Sequence, residues 1–201
     1  MDLILLQPGD ETILGKDDGK GSLIDPSKGV APWGSGSLQG SGTAKSPLMA
    51  KPFIELISVH QGMKQQMTTD VSNQARTSGR PIITEFTCVK YVDAASVKLY
   101  DYCLRAKPLG TSDKSPTTLY LCRNSGEQLL NLMTFQLRDA MISEIQMQTH
   151  PDDMPTEQFK LNFTEVIWTF NLQKTEAQDG GALTAGWSVS RNAPIAGRFV
   201  A

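Results

Sequence analysis

FKLNFTEVIWTFNLQ, residues 159–173, is the stretch whose reading decides the fold. Apolar side chains alternate with polar ones at Phe159, Leu161 and Phe163. They resume one register later at Val166, Trp168, Phe170 and Leu172. Alternation with a period of two predicts a strand with one buried face. A one-residue slip would send the second apolar set to the wrong face, so the pattern predicts a bulge near Thr164 and Glu165. The next segment, KTEAQDGGALTAGWSVSRNA (residues 174–193), reads as an acidic Asp-Gly-Gly turn followed by a terminal strand carrying Gly186 and Trp187.

Outward from this stretch, short strands recur. Residues 3–7 form a first strand, 52–62 a second ending at Gly62, and 82–90 a third. Residues 65–81 read as an extended loop or a long hairpin tip. Asp93 suits a helix N-cap, with Ser96 in the first turn, and Val97, Tyr100 and Leu104 share one helical face before Pro108 stops the helix. Residues 117–123 and 128–138 flank Asn124-Ser125-Gly126 as a hairpin, and 141–148 form another strand. Many strands and one helix favour a sandwich or barrel with a helix attached. The expected class is mainly β: a small β-barrel of antiparallel strands, one flanking α-helix and a long Gly/Ser/Pro-rich loop.

That loop is residues 8–52, which hold nine of the 17 glycines and five of the 11 prolines. Such a composition buries too little apolar area to order itself. The 201 residues are expected to form a single domain, 1–201, with an excursion at about 8–52. A net charge of −2 shows no electrostatic footprint for nucleic acid. The early apolar run, residues 3–6, is far shorter than the about 20 residues a membrane helix needs, and it lacks the basic start of a signal peptide. Cys88, Cys103 and Cys122 are odd in number, widely spaced and free of any Cys-x-x-Cys, which points to reduced thiols. The chain is therefore expected to be made in the cytoplasm without membrane insertion, and any export would bypass the signal-peptide route.

Enzyme chemistry finds little support. His60 and His150 are the only histidines, and a cysteine nucleophile needs one within reach. Two histidines and three scattered cysteines do not make a zinc spacing. In residues 40–46, GSGTAKS, Ala44 stands where a phosphate-binding loop needs glycine before Lys45. The expectation is no catalytic residue, no cofactor and no metal. Trp168 and Trp187 suit core or subunit contacts. Trp33, alone in a glycine-rich loop, is either a local staple or a partner contact.

Further motifs carry a resemblance. Residues 86–103, FTCVKYVDAASVKLYDYC, contain Phe86, Lys90, Tyr91, Asp93 and Ser96 at the spacing F-x-x-x-K-Y-x-D-x-x-S. CRNSGEQ follows at 122–128, Leu161-Asn162-Phe163 in the decisive stretch, and Gly186-Trp187 near the end. In this order they resemble the Hcp family, the haemolysin-coregulated tube proteins of bacterial type VI secretion systems. The family's second strand often ends W-S-W-G, where this chain has Val59-His60-Gln61-Gly62, and its first loop is usually shorter.

The resemblance implies a bacterial tube protein: homo-hexameric rings stacked into a hollow tube, driven by a contractile sheath behind a spike protein, carrying effector proteins in the lumen. It implies a protein held in the bacterial cytoplasm until firing and then secreted into the medium or a target cell. His60 falls where the family has a serine resembling a lumen-facing cargo contact. Ser58, two residues away in the same strand, should share its face. Remaining alternatives are a phage-like tail-tube subunit and a small β-barrel binding module.

Overall fold

Alternating and β-branched residues build strands along most of the described residues, and tight corners pass the chain between two sheets. The computed structural model describes residues 3–14, 53–65, 67–69, 76–78, 80–110, 115–124, 129–173 and 179–195. In chain order the first elements are β1 (Leu3–Gln7), β2 (Ile54–Leu56), β3 (Ser58–His60), β4 (Met63–Lys64), β5 (Met67–Thr69), β6 (Arg76–Ser78), β7 (Ile82–Ile83), β8 (Phe86–Tyr91) and helix α1 (Ala94–Leu104). The second half gives β9 (Thr117–Asn124), β10 (Leu129–Arg138), β11 (Met141–Gln148), β12 (Thr156–Asn162), β13 (Glu165–Gln173), β14 (Asp179–Ser188) and β15 (Ala193–Pro194).

A seven-stranded sheet has the order β15-β14-β13-β10-β9-β1-β2, and a four-stranded sheet the order β11-β12-β8-β3. All their pairings are antiparallel. Two short ribbons, β4 with β7 and β5 with β6, realise the hairpin tip expected at 65–81. The mainly β class with one α-helix holds. Of the loop expected at 8–52, residues 15–52 lie outside the described residues, and Glu11–Leu14 instead form a short 3-10 turn that buries Ile13 and Leu14 in the core. Among the described residues the ladders form two sheets joined at corners rather than a closed barrel.

The corners correct the reading of the decisive stretch. Residues 159–173 are not one bulged strand, because β12 belongs to the smaller sheet and β13 to the larger. The chain crosses at Phe163-Thr164, where the Thr164 N–H bonds the Arg138 carbonyl (3.1 Å) and the Thr164 carbonyl accepts from Val189 (2.9 Å). Phe163 stays buried against Phe86, ring centroids 5.5 Å apart. A chain that changes sheets must shift its apolar frame to keep both strands facing the same core, which accounts for the slip. The Asp-Gly-Gly expected as a turn instead opens β14, with Asp179 opposite Gln173. Ile57 makes a second corner, between β2 and β3. It is exposed and does not share the buried face of Val59.

Between the sheets lies the core: Leu6, Leu119, Leu137 and Val166 from the larger sheet, Phe86, Cys88, Phe159 and Leu161 from the smaller. Trp168 and Trp187 pack against it, half-buried. Truncating a ring such as Phe159 to alanine costs about 3–5 kcal/mol in a core of this kind.

Helix α1 starts where expected. The Asp93 carboxylate accepts from the Ala95 N–H, and the Ser96 hydroxyl accepts from the Asp93 N–H, which closes a capping box. Its rotation differs from the expectation. Ala95, Ser96, Leu99 and Tyr102 are buried, whereas Val97 is 69% and Leu104 87% exposed. The helix ends at Leu104, before Pro108. Ala106 adopts φ 49°, its N–H bonds the Cys103 carbonyl (3.2 Å), and the Lys107 N–H bonds the Tyr102 carbonyl (2.9 Å). This is a Schellman turn with alanine where glycine is usual.

Candidate functional site

Paired residues in a ladder share a face, so register defines the outer face of the four-stranded sheet. One row across it is His60, Thr87, Lys160 and Glu144. The next is Ser58, Val89, Gln158 and Gln146, and the third is Tyr91, Thr156 and Gln148. Val59, between Ser58 and His60, points the other way and packs on the core. Ser58 and His60 therefore lie together on a face that is polar apart from Val89, Tyr91 and Met141, which pairs with Asn162. His60 is exposed and Ser58 half-buried. Trp33 lies outside the described residues.

At the His60 end the face opens into a cleft of about 500 Å³ lined by Val59, His60, Gln61, Gly62, Thr84, Glu85, Thr87 and Lys160. Its wall is pinned by reciprocal bonds: the Gly62 N–H donates to Thr84 Oγ1 (2.8 Å), and the Thr84 N–H donates to the Gly62 carbonyl (2.9 Å). Lys160 pairs with Glu144, which Gln146 also contacts. That hydrogen bond and charge lift the Lys160 ammonium above its ordinary range and hold the Glu144 carboxyl below its own. Glu85 accepts from Ser143 Oγ and Asn162 Nδ2, each at 2.8 Å. Ser143 reaches it because β11 bulges between Ile142 and Glu144, which re-aims that residue.

The sequence reading missed Glu85, Glu144, Lys160 and the row of glutamines. Their signal was present as period-two polarity in Glu144-x-Gln146-x-Gln148 and Thr156-x-Gln158-x-Lys160. Among the described residues no group of three or more His, Cys, Asp or Glu is arranged for a metal ion. Burial pushes the Cys88 thiol up and the Cys122 thiol to about 12, so neither is poised as a nucleophile. No helix among the described residues is long and apolar enough to cross a membrane.

On the core side of the same sheet, the residues of the K-Y-x-D-x-x-S motif meet. Lys90 is fully buried and pairs with Glu157 (2.9 Å) and Asp93 (2.7 Å). Its ammonium also donates to Ser96 Oγ (3.0 Å) and the Tyr91 carbonyl (2.8 Å). Glu157 accepts from Ser96 Oγ (2.8 Å) and the Tyr100 hydroxyl (2.7 Å). The motif thus fastens α1 to β8 and β12, and burying Ser96 sets the helix rotation.

The family model described as "Type VI secretion system effector, Hcp" matches residues 35–170. The chain belongs to the Hcp family. Solved structures share the fold at low identity. One described as a type six secretion system protein aligns with TM-score 0.67 at 20% identity, over 97% of this chain and all of that one. Hcp1 from Salmonella typhimurium aligns with TM-score 0.60 at 17% identity, over 96% and 99%. No curated protein matches the chain. As an Hcp protein it is a subunit of the type VI secretion inner tube, a structural protein of hexameric rings that is secreted.

Proposed function

We propose that the polar outer face of the four-stranded sheet lines the lumen of the Hcp ring and that His60 and Ser58 contact transported effector proteins there. The observation that carries this is the face itself. Three rows of hydroxyl, amide and charged side chains cover one side of a sheet whose other side is committed to the core. A polar wall suits a channel that protein cargo must enter and leave, because it holds water and gives many weak contacts. The sheet's edge strands, β3 and β11, each pair on one side only among the described residues. An unpaired edge favours a neighbouring chain, which agrees with subunits set side by side.

In this reading the whole chain, 1–201, acts as one tube domain and as a carrier, without catalysis. Its rings meet the contractile sheath outside and the spike protein at the tip, and Trp33 makes a partner contact. The chain waits in the bacterial cytoplasm and leaves without a signal peptide.

The test is co-purification of effectors with rings of wild-type chain, His60→Glu and His60→Arg. Light scattering should give the same mass for all three, about six times 21.9 kDa. Retention of at least one effector should change. Unchanged retention of every effector on intact rings would remove His60 from the site.

A further inference from the structure

The polar face is not uniform in charge. Among the described residues Glu85 and Glu144 stand against Lys160 alone at the cleft end, a formal excess of one negative charge with histidine taken as neutral. Lys160 is already engaged by Glu144. Glu85 is held by two neutral donors, Ser143 and Asn162, and among the described residues no cation forms an ion pair with it. Each carboxylate oxygen uses one donor and retains further accepting capacity. Lys160 feels the Glu85 charge, but among the described residues no cation pairs with Glu85 directly, and the group is fixed in direction beside an open cleft of about 500 Å³. The Gly62–Thr84 bonds keep the opposite wall in place, so the cleft exists before any ligand enters.

We propose that this cleft is the anchor for cargo and takes a lysine or arginine side chain from an extended segment of the transported protein, with the Glu85 carboxylate as its counter-charge. The proposal rests on the reading that this face is the one cargo meets. An acidic side chain is disfavoured, since it would approach two carboxylates and find the single ammonium already paired. The aliphatic stem of a long basic residue would lie along Gly62 and Thr84 while its head reaches Glu85. Six equivalent clefts around one ring would act together, so a weak single contact still retains a cargo that presents several basic residues.

The test uses intact rings of the full chain and two fluorescein-labelled Gly/Ser nonapeptides, one with a central arginine and one with a central glutamate, read by fluorescence anisotropy. The arginine peptide should bind more tightly than the glutamate peptide. Glu85→Gln, which keeps an acceptor for Asn162, should weaken arginine-peptide binding about three- to tenfold, and Glu85→Lys should reverse the preference. The wild-type preference should also shrink when salt is raised to about 0.5 M, a measurement that needs no substitution. Equal binding of the two peptides, absence of binding by either, an unchanged affinity in Glu85→Gln, or a preference indifferent to salt would each overturn the proposal. If effector retention still depends on His60 in that event, the lumen reading stands and only the charge assignment falls.

Discussion

Lys90 carries the most concentrated polar interaction in the described structure: an ammonium with no exposure, flanked by two carboxylates, a hydroxyl and a carbonyl. A buried pair contributes little over a well-packed apolar substitute, but removing one partner strands the other charge. Lys90→Met should therefore lower stability by about 3–5 kcal/mol, measured by urea unfolding, and should loosen α1 first. Two tyrosines make the fold sensitive to alkali. Burial, and for Tyr100 the Glu157 carboxylate, push the Tyr100 and Tyr120 hydroxyls up to about 12. In the unfolded chain they titrate near 10. The folded pKa is the higher one, so their contribution is fully present below pH 10 and is lost as pH rises from about 10 to 12. A thermal-unfolding series across that range should show a decline that Tyr100→Phe reduces. Lys90, Asp93 and Ser96 were legible as a motif, but their shared partner was not. Glu157 lies 61 residues beyond Ser96 and gave no local signal except its register. It falls on the buried side with Phe159 and Leu161, where a lone carboxylate requires a partner.

Element by element, strand existence was readable and strand destination was not. The alternation in residues 159–173 identified extended chain throughout. A register slip looks the same whether it makes a bulge or a crossing between sheets, and only the pairing partners, β8 and β11 for β12 but β10 and β14 for β13, distinguish the two. The helix shows the same limit. Apolar residues stand on both sides of α1, and its buried side joins Ala95, Leu99 and Tyr102 in the core to the Ser96 hydroxyl that reaches Lys90 and Glu157. The outward side keeps Val97 and Leu104 exposed. The end of α1 offers a direct test. Ala106 holds a left-handed conformation at φ 49°, which costs a residue with a Cβ about 1–2 kcal/mol. Ala106→Gly removes that cost and adds some unfolded-state entropy. The net effect should be stabilisation of about 1 kcal/mol, seen as a higher urea midpoint with an unchanged slope. A lower midpoint would contradict the assigned helix terminus.

At the scale of the whole molecule, two sheets divide the work. Both sheets and α1 enclose the core, and the four-stranded sheet also turns a polar surface outward. Family membership accounts for the ring, and in the proposed reading the polar face is the part of the subunit that lines its interior. The sequence made His60 and Ser58 legible as neighbours because strand geometry alone aligns residues two apart. It left Glu85, Glu144 and Lys160 scattered, because only the registers of β8, β11 and β12 bring them to one end of one face. The most direct test of the account is an electron cryomicroscopy map of the assembled ring at side-chain resolution. Ser58, His60, Gln146, Gln158 and Lys160 should point into the central channel in every subunit. A ring in which that face lies on the outer wall, or is covered by an adjacent subunit, would contradict the account.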